Sequence, residues 1–145
     1  MNYFEIECPK LGILHYEEEY DWYEGSFKVQ QSEIPIRLLT DEDGKVTSAL
    51  ERATDFIREI EDRSELAKEY AAKRLLQIKN ETWIEDGEEP LTIDRFKQQM
   101  TLESVSIDPN GEVSLHYNDG DLFWGHSIVA IVNCENRFMN AEIEG

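Results

Sequence analysis

The spacing of apolar residues changes twice along this chain, and this change constrains the fold more than any other feature. Between about residues 46 and 80, apolar side chains recur at the spacing of one face of a helix. On both sides of this region, short runs alternate between apolar and polar residues and are separated by turn signals, which is typical of strands. The order strands, helices, strands predicts an α+β domain: an antiparallel β-sheet with an inserted helical layer packed on one face.

Two longer helices and one short helix are expected in the inserted layer. The first carries apolar residues at helical spacing: Val46, Ala49, Leu50, Ala53, Phe56, Ile57 and Ile60. Asp62-Arg63-Ser64 is expected to end it, with Ser64 as the N-cap of a second helix that runs to about Asn80. The apolar face of the second helix comprises Leu66, Ala67, Tyr70, Ala71, Leu75 and Ile78. Because the connection is short, the two helices are expected to form an antiparallel pair. Thr92 is expected to cap the short third helix.

Strands are expected before and after the helices. The earlier ones cover residues 3–8, 12–16, 26–30 and 34–39, and the later ones cover 102–107, 112–117, 128–132 and 137–143. Pro35 places its strand at a sheet edge, or itself at a strand start, because proline cannot donate to the ladder. We expect a single domain over residues 1–145, because this length is enough for one sizeable core.

The segment 117–132 combines the strongest turn signal with the longest apolar run. Asp119-Gly120 predicts a two-residue hairpin turn, which needs positive φ at both central residues. The resulting register pairs Asn118 with Asp121, Tyr117 with Leu122 and Leu115 with Trp124. Trp124 then becomes a core residue under the helix pair, and Gly125 is expected to form a bulge or to allow the close approach of another backbone. Residues 128–132 are apolar throughout, which predicts a central strand covered on both faces.

The charge of the chain excludes several classes of partner. Fourteen Lys and Arg residues stand against 32 Asp and Glu residues, which gives a net charge of -18. Nucleic-acid binding depends on cations that meet phosphates, and anionic membranes also attract basic surfaces, so neither is expected as a partner. Residues 46–80 carry seven acids and seven bases, and the whole excess therefore lies in the strand-like regions. A basic protein is the partner that this charge favours.

Few sequence signals point to chemistry. No phosphate-binding loop, paired-cysteine zinc spacing or nucleophile motif is present, so no catalytic residue and no cofactor are expected. The N-terminus lacks a signal-peptide pattern and no apolar run has membrane-spanning length, which predicts a cytoplasmic protein. Cys8 and Cys134 are expected to be free thiols, and a disulfide between them remains the alternative.

One candidate partner-binding segment has acids around three aromatic residues. It comprises Glu17, Glu18, Glu19, Tyr20, Asp21, Trp22 and Tyr23. Exposed Trp and Tyr side chains are frequent anchors of protein interfaces. In the competing interpretation the segment is an ordinary strand whose aromatic residues face inward while its acids face water.

A second candidate is a metal or small-ligand site formed by Asn118, Asp119, Asp121 and His126. A calcium loop needs oxygen ligands spread over a longer segment that ends in a glutamate, and here apolar residues follow Asp121. We therefore expect no metal site, and the competing interpretation of the segment is a solvated turn.

Several segments together resemble a bacterial family of uncharacterised proteins that is catalogued as a domain of unknown function. They are residues 22–25, the alanine-rich second helix, 91–96, 102–107, 117–128 and 141–145, and 119–126 is the most specific. The resemblance implies an intracellular bacterial protein without assigned catalytic residues, similar to small acidic proteins regarded as immunity proteins. With the charge, it predicts a non-enzymatic protein-binding domain. The alternative is an enzyme with its site near Asp119 and His126.

Overall fold

Eight strands form a single sheet in which the spatial order of the strands is also their order in the chain. The computed structural model of the protein describes residues 5–145, and all elements below belong to that part. The strands are β1 (Glu5–Cys8), β2 (Gly12–Glu17), β3 (Trp22–Val29), β4 (Ser32–Leu39), β5 (Thr101–Ile107), β6 (Val113–Asn118), β7 (Ser127–Val132) and β8 (Phe138–Glu144). The helices are α1 (Thr47–Ile57), α2 (Ile60–Thr82) and α3 (Ile93–Gln99). Residues 3 and 4 of the first expected strand lie outside the described residues.

Every neighbouring pair of strands is antiparallel except β4 and β5. These two strands are parallel because the three helices lie between them in the chain and bring it back to the same end of the sheet. The expected α+β class is confirmed at this level, with three helices and a mostly antiparallel sheet in the described residues. The expectation that Pro35 marks a sheet edge or a strand start is wrong, because it is the fourth residue of β4 and β4 lies between β3 and β5, although its ladder to β5 begins only at Ile36.

Alternate residues of the central strands join the helices in one hydrophobic core, and we call their side of the sheet the core face. From the strands it receives Phe27, Ile34, Ile36, Leu38, Val105, Ile107, Val113, Leu115, Tyr117, Ile128, Ala130 and Val132. From the helices it receives Ala49, Ala53, Phe56, Ile60, Ala67, Ala71, Ala72, Leu75 and Phe96. The remaining strand residues, among them Trp22 and Arg37, lie on the opposite side, which we call the outer face. The alternation in residues 113–117 therefore predicted the buried side of β6 correctly.

The boundary between the two longer helices lies earlier than the sequence predicted. Helix α1 ends at Ile57 and α2 begins at Ile60, so Arg58 and Glu59 form the break. Ser64 is not an N-cap but a buried residue within α2, where its hydroxyl lies 2.8 Å from the Tyr117 hydroxyl. A buried phenol needs a hydrogen-bond partner, and this need places a small polar residue on the core side of the helix.

The contacts of the helices only partly test the expected antiparallel pair. Helix α1 contacts β4 and β5, α2 contacts β7, β8 and α3, and the two helices also contact each other. Their antiparallel arrangement stays a prediction. Leu66 and Ile78 were assigned to the apolar face of α2 but are 56% and 42% exposed. Three of the seven buried residues of α2 are alanines, Ala67, Ala71 and Ala72, and such small side chains allow a helix to approach closely.

The predicted hairpin turn at Asp119-Gly120 is wrong. Strand β6 ends at Asn118 and pairs with Ser127, while Tyr117 pairs with Ile128, so residues 119–126 form a connecting loop. The reason is the buried Asp119 carboxylate, which accepts hydrogen bonds from the N–H groups of Asp121, Phe123 and Gly125. These bonds satisfy N–H groups of the loop that, in a hairpin, would have bonded to the opposite strand. The expected pairs with Leu122 and Trp124 and the bulge at Gly125 are therefore wrong as well.

The same loop reverses the burial of two adjacent aromatic residues. Trp124, expected in the core, is 58% exposed, whereas Phe123 is fully buried. Backbone φ is positive at Gly120, Asp121, Trp124 and Gly125, so the chain turns repeatedly and alternation of side chains between two faces does not hold here. In β7, which follows, Ile128, Val129 and Ala130 are all buried, whereas Ile131 is only partly so.

Candidate functional site

The acidic segment forms the hairpin between β2 and β3, and we call residues 17–22 the hairpin tip. Glu17 pairs with Trp22, and the carbonyl oxygen of Glu17 accepts hydrogen bonds from the N–H groups of Tyr20 and Asp21. The Tyr16 hydroxyl donates to the Asp21 carboxylate over 2.5 Å. This bond favours the neutral phenol and raises the pKa of Tyr16 to about 12. The hairpin tip is thus an ordered turn that presents its glutamates to solvent.

Two of the three aromatic residues of this segment stack on the outer face. The rings of Tyr20 and Trp22 lie 4.6 Å apart with their planes 18° from parallel, and Tyr20 is 57% exposed. Tyr23 lies on the core face, where it pairs with Leu38 and packs against the core. The inward orientation considered for all three aromatic residues therefore holds only for Tyr23.

The carboxylates of the hairpin tip have no cationic partner in the described part of the chain. Among residues 5–145, none of Glu17, Glu18, Glu19 and Asp21 forms an ion pair. Four like charges on a short turn repel one another, so the tip has an unneutralised negative field around its exposed tyrosine. Glu17, Glu18, Glu19 and Tyr20 are exposed in one turn, with Trp22 half-buried against Tyr20, whereas Asp21 is bonded to Tyr16 and Tyr23 packs against the core. Whether these residues bind a partner stays a prediction.

A polar cluster that the sequence did not reveal adjoins the hairpin tip on the outer face. Arg37 lies over the Trp22 ring, with its guanidinium carbon 5.4 Å from the ring centroid. Its Nε donates to Glu24 over 3.2 Å, and its Nη1 lies 3.5 Å from the Ser104 hydroxyl oxygen. Period-two alternation relates Trp22 to Glu24, but Arg37 and Ser104 meet only because β4 and β5 pair in parallel across the helical insertion. No feature of the sequence near either strand predicts the parallel pairing of β4 with β5.

His116 lies on the same outer face, on β6. Burial lowers the pKa of its imidazole, Arg37 acts in the same direction, and the nearby Glu144 opposes both effects. This histidine is therefore neutral at physiological pH and can accept or donate a hydrogen bond without adding charge. It extends the polar cluster from the hairpin tip towards the middle of the sheet.

Three of the four residues of the second candidate site, Asn118, Asp119 and His126, have side chains bonded to the backbone of the loop 119–126. Asn118 accepts a hydrogen bond from the N–H of Gly120, and Asp119 accepts three backbone N–H groups. Asp121 is exposed, and His126 Nδ1 lies 2.6 Å from the carbonyl oxygen of Phe123. In the described part of the chain, no three His, Cys, Asp or Glu side chains are grouped so that they could hold a metal ion. Whether these residues bind a ligand stays a prediction.

Other features lie apart from both candidate sites. A cleft of about 350 Å³ between β1 and α1 is lined by Cys8, Pro9, Leu50 and neighbouring residues. Both cysteines are free thiols, Cys8 buried and Cys134 exposed. Within residues 5–145 no helix is long and apolar enough to cross a membrane.

Comparison with known proteins assigns the chain to a family but provides no characterised relative. Neither the curated proteins nor the solved structures contain a significant match to it. A family model described as an uncharacterized protein conserved in bacteria (DUF2262) matches residues 9–143. Because this match spans nearly the whole sequence, the chain belongs to that bacterial family.

Proposed function

We propose that this domain binds a basic protein through its hairpin tip and the adjoining outer face, and that it catalyses no reaction. The observation that carries the proposal is the exposed Tyr20 ring stacked on the half-buried Trp22, beside carboxylates that form no ion pair within residues 5–145. In its narrowest form the proposal is an immunity-type role, in which the basic partner is neutralised by binding. The charge of -18 supports this form.

Folding alone gains little from gathering these acids, because their mutual repulsion opposes the compact state. A cationic partner would relieve that repulsion and could stack an arginine on the exposed Tyr20 ring. Since Tyr20 and Trp22 lie on the outer face with the acids, the interface would combine electrostatic attraction with aromatic contact. Attraction of this kind mainly raises the association rate, and the aromatic contact mainly slows dissociation.

The arrangement of the helices supports the same surface. We infer that all three helices form one layer over the core face, since their buried residues share a single core with the strand residues of that side. The outer face, with Trp22, Glu24 and Arg37, then remains available to a partner. Charged side chains beside a large exposed ring are the usual composition of an interface rim around its anchor.

Charge reversal at the hairpin tip tests the proposal. A partner captured from a bacterial lysate with the wild-type domain should be basic. Glu18→Lys with Asp21→Lys should then slow its association on the order of tenfold. The same two-charge reversal at Glu51 and Glu135, exposed residues in α1 and in the β7–β8 connection, is the matched control. Association rates measured at about 20 mM and about 150 mM salt should differ strongly for the wild type and little for the hairpin-tip variant.

Unchanged association of the hairpin-tip variant, or equal slowing in the control, would place the interface elsewhere. The alternative function, an enzyme that uses Asn118, Asp119, Asp121 and His126, has weaker support because Asp119 is occupied by loop N–H groups. Calorimetry with calcium, magnesium, manganese and zinc tests it. A one-to-one isotherm that disappears in Asp121→Ala would favour the alternative, and Asp121 suits this test because its side chain is exposed.

A further inference from the structure

A second aromatic surface consists of the partly buried rings of Trp83 and His126 and the exposed ring of Trp124. The Trp83 ring lies 4.7 Å from the Trp124 ring and 5.3 Å from the His126 ring, in edge-on contact with both. Its third neighbour is the buried Phe123, at 5.5 Å, which joins the surface to the core. Trp124 is the most exposed of the three rings, and much of its area is open to a ligand.

The loop that carries Trp124 is held in place from below. The buried Asp119 carboxylate binds three of its N–H groups, and one of them belongs to Gly125, the residue after Trp124. Trp124 itself adopts φ +59°, a conformation that is unfavourable for a bulky residue. The loop thus exposes a large apolar side chain and also adopts an unfavourable backbone conformation to do so. A buried Trp124 side chain would have contributed more to the stability of the fold.

An acidic segment, residues 85–89, is attached to the same surface. The ammonium group of the buried Lys79 donates to the carbonyl oxygen of Trp83 and to the Glu88 carboxylate, each over 2.7 Å. This contact holds the acidic segment beside the backbone of Trp83. The Asn80 side chain bonds both backbone groups of Leu91 and so fixes the far end of the segment.

The two segments that build this surface contain acids but no bases. Residues 80–94 and 118–136 include no lysine or arginine, whereas Glu85, Asp86, Glu89 and Asp121 are exposed. Lys79 neutralises Glu88, but Glu85, Asp86, Glu89 and Asp121 form no ion pair within residues 5–145, so the surface combines an open indole ring with net negative charge. A guanidinium group matches both features, because it stacks on aromatic rings and binds carboxylates through paired N–H groups.

We propose that Trp83, Trp124 and the acidic segment 85–89 form a binding surface for an arginine side chain of a protein partner. The guanidinium group stacks on Trp124 and pairs with carboxylates of the acidic segment. Trp22 pairs with Leu39 at the end of β4, and the parallel strand β5 ends on the same side of the sheet. Because β6 is antiparallel to β5, its last residue, Asn118, lies at the opposite end. The loop that carries Trp124 is therefore at the opposite end of the sheet from the hairpin tip. The inference is thus independent of the function proposed for the hairpin tip.

The test uses a short peptide of arginine and glycine and its counterpart with citrulline, which has the same shape but no charge. The three indole N–H signals of Trp22, Trp83 and Trp124 are followed by nuclear magnetic resonance in the intact domain and assigned with single Trp→Phe variants. The arginine peptide should shift the signals of Trp83 and Trp124, and the citrulline peptide should not. Trp124→Gly, which relieves the positive φ, should weaken binding at this surface about two- to fivefold while the domain stays folded.

Two controls separate this surface from the hairpin tip. Glu18→Lys with Asp21→Lys should leave the peptide-induced shifts of Trp83 and Trp124 unchanged, and Trp124→Phe should retain part of the affinity lost in Trp124→Gly. Shifts confined to Trp22, no shifts at all, or equal shifts with the citrulline peptide would each overturn the inference. A shift of Trp83 that persists in full in Trp124→Gly would overturn it as well.

Discussion

At the scale of single residues, the loop 119–126 shows how one buried side chain can override a strong turn signal. Asp119-Gly120 is typical of a two-residue hairpin turn, yet the Asp119 carboxylate binds three N–H groups further along the chain. Hydrogen bonds from a charged acceptor are stronger than those between neutral groups, and burial adds to the cost of losing them. The positive φ required at Gly120 is present all the same, at +57°.

Replacing Gly120 tests this loop most directly. A Cβ at Gly120 would lie 2.5 Å from the carbonyl oxygen of Gln99, whereas one at Gly125 would have no heavy atom within 4 Å. Both glycines have positive φ, so Gly125→Ala is a control for backbone strain alone. Gly120→Ala should lower the free energy of unfolding by about 2–4 kcal/mol, and Gly125→Ala by about 1 kcal/mol. Urea titrations measure both, and equal losses would contradict the predicted clash with Gln99.

The two adjacent aromatic residues provide a second prediction. Phe123 is fully buried and packs edge-on against Phe96 and Trp83, so Phe123→Ala should cost about 3–5 kcal/mol. Trp124→Ala should cost less than about 1.5 kcal/mol, because most of its ring is exposed and it contributes mainly its contact with Trp83. Thermal or chemical unfolding measures both. A larger loss for Trp124 than for Phe123 would show that Trp124 belongs to the core.

At the scale of elements, α2 is attached to the sheet by small side chains and one buried polar contact. Tyr117 of β6 meets Ser64 of α2, and its hydroxyl lies 2.8 Å from the Ser64 hydroxyl and donates to the Ser64 carbonyl oxygen over 3.2 Å. At the other end of α2, Lys79 and Asn80 hold the segment that leads to α3. Polar side chains therefore determine where this helix sits along the sheet, while its alanines determine how closely it approaches.

The burial of Tyr117 predicts a specific loss of stability at alkaline pH. Burial raises the pKa of Tyr117 above its usual value of 10.0, so the folded protein keeps this phenol neutral after the unfolded chain has begun to ionise. The stabilisation is complete below about pH 10 and is lost as the pH rises above it, by up to about 1.4 kcal/mol per pH unit. Unfolding free energies of wild type and Tyr117→Phe should therefore converge above about pH 10. Parallel curves would contradict the raised pKa; Tyr16 remains in both proteins and affects both equally.

At the scale of the whole molecule, the net charge of -18 is distributed unevenly between the elements. The helical region is balanced, and its ion pairs include Lys97 with Glu65 and Arg58 with Asp55. The excess lies in the hairpin tip, the acidic segment 85–89 and the sheet margins. Such a net charge keeps protein molecules apart in solution, but the repulsion between like charges destabilises the folded state.

Salt should therefore stabilise this domain in the absence of any partner. Between about 20 mM and about 200 mM sodium chloride, the melting temperature should rise, because screening weakens repulsion between surface charges. Choline chloride at equal ionic strength is the control and should act alike, since the effect depends on screening and not on a bound cation. A melting temperature that falls with salt would show that the ion pairs of the helical region outweigh the repulsion.

Local pattern by itself determined the class of the fold, most of the strands and the core face of β6, because side-chain periodicity depends only on the conformation of a short segment. Composition likewise located the acidic hairpin tip. Only the tertiary structure decided the orientation of Tyr20 and Trp22, the exposure of Trp124 and the meeting of Arg37 with Ser104. Each of these depends on a contact between residues distant in the chain, such as the parallel pairing of β4 with β5, or on a buried hydrogen-bond network such as that of Asp119. The free energy of such contacts depends on burial in the assembled fold, which no short stretch of sequence encodes.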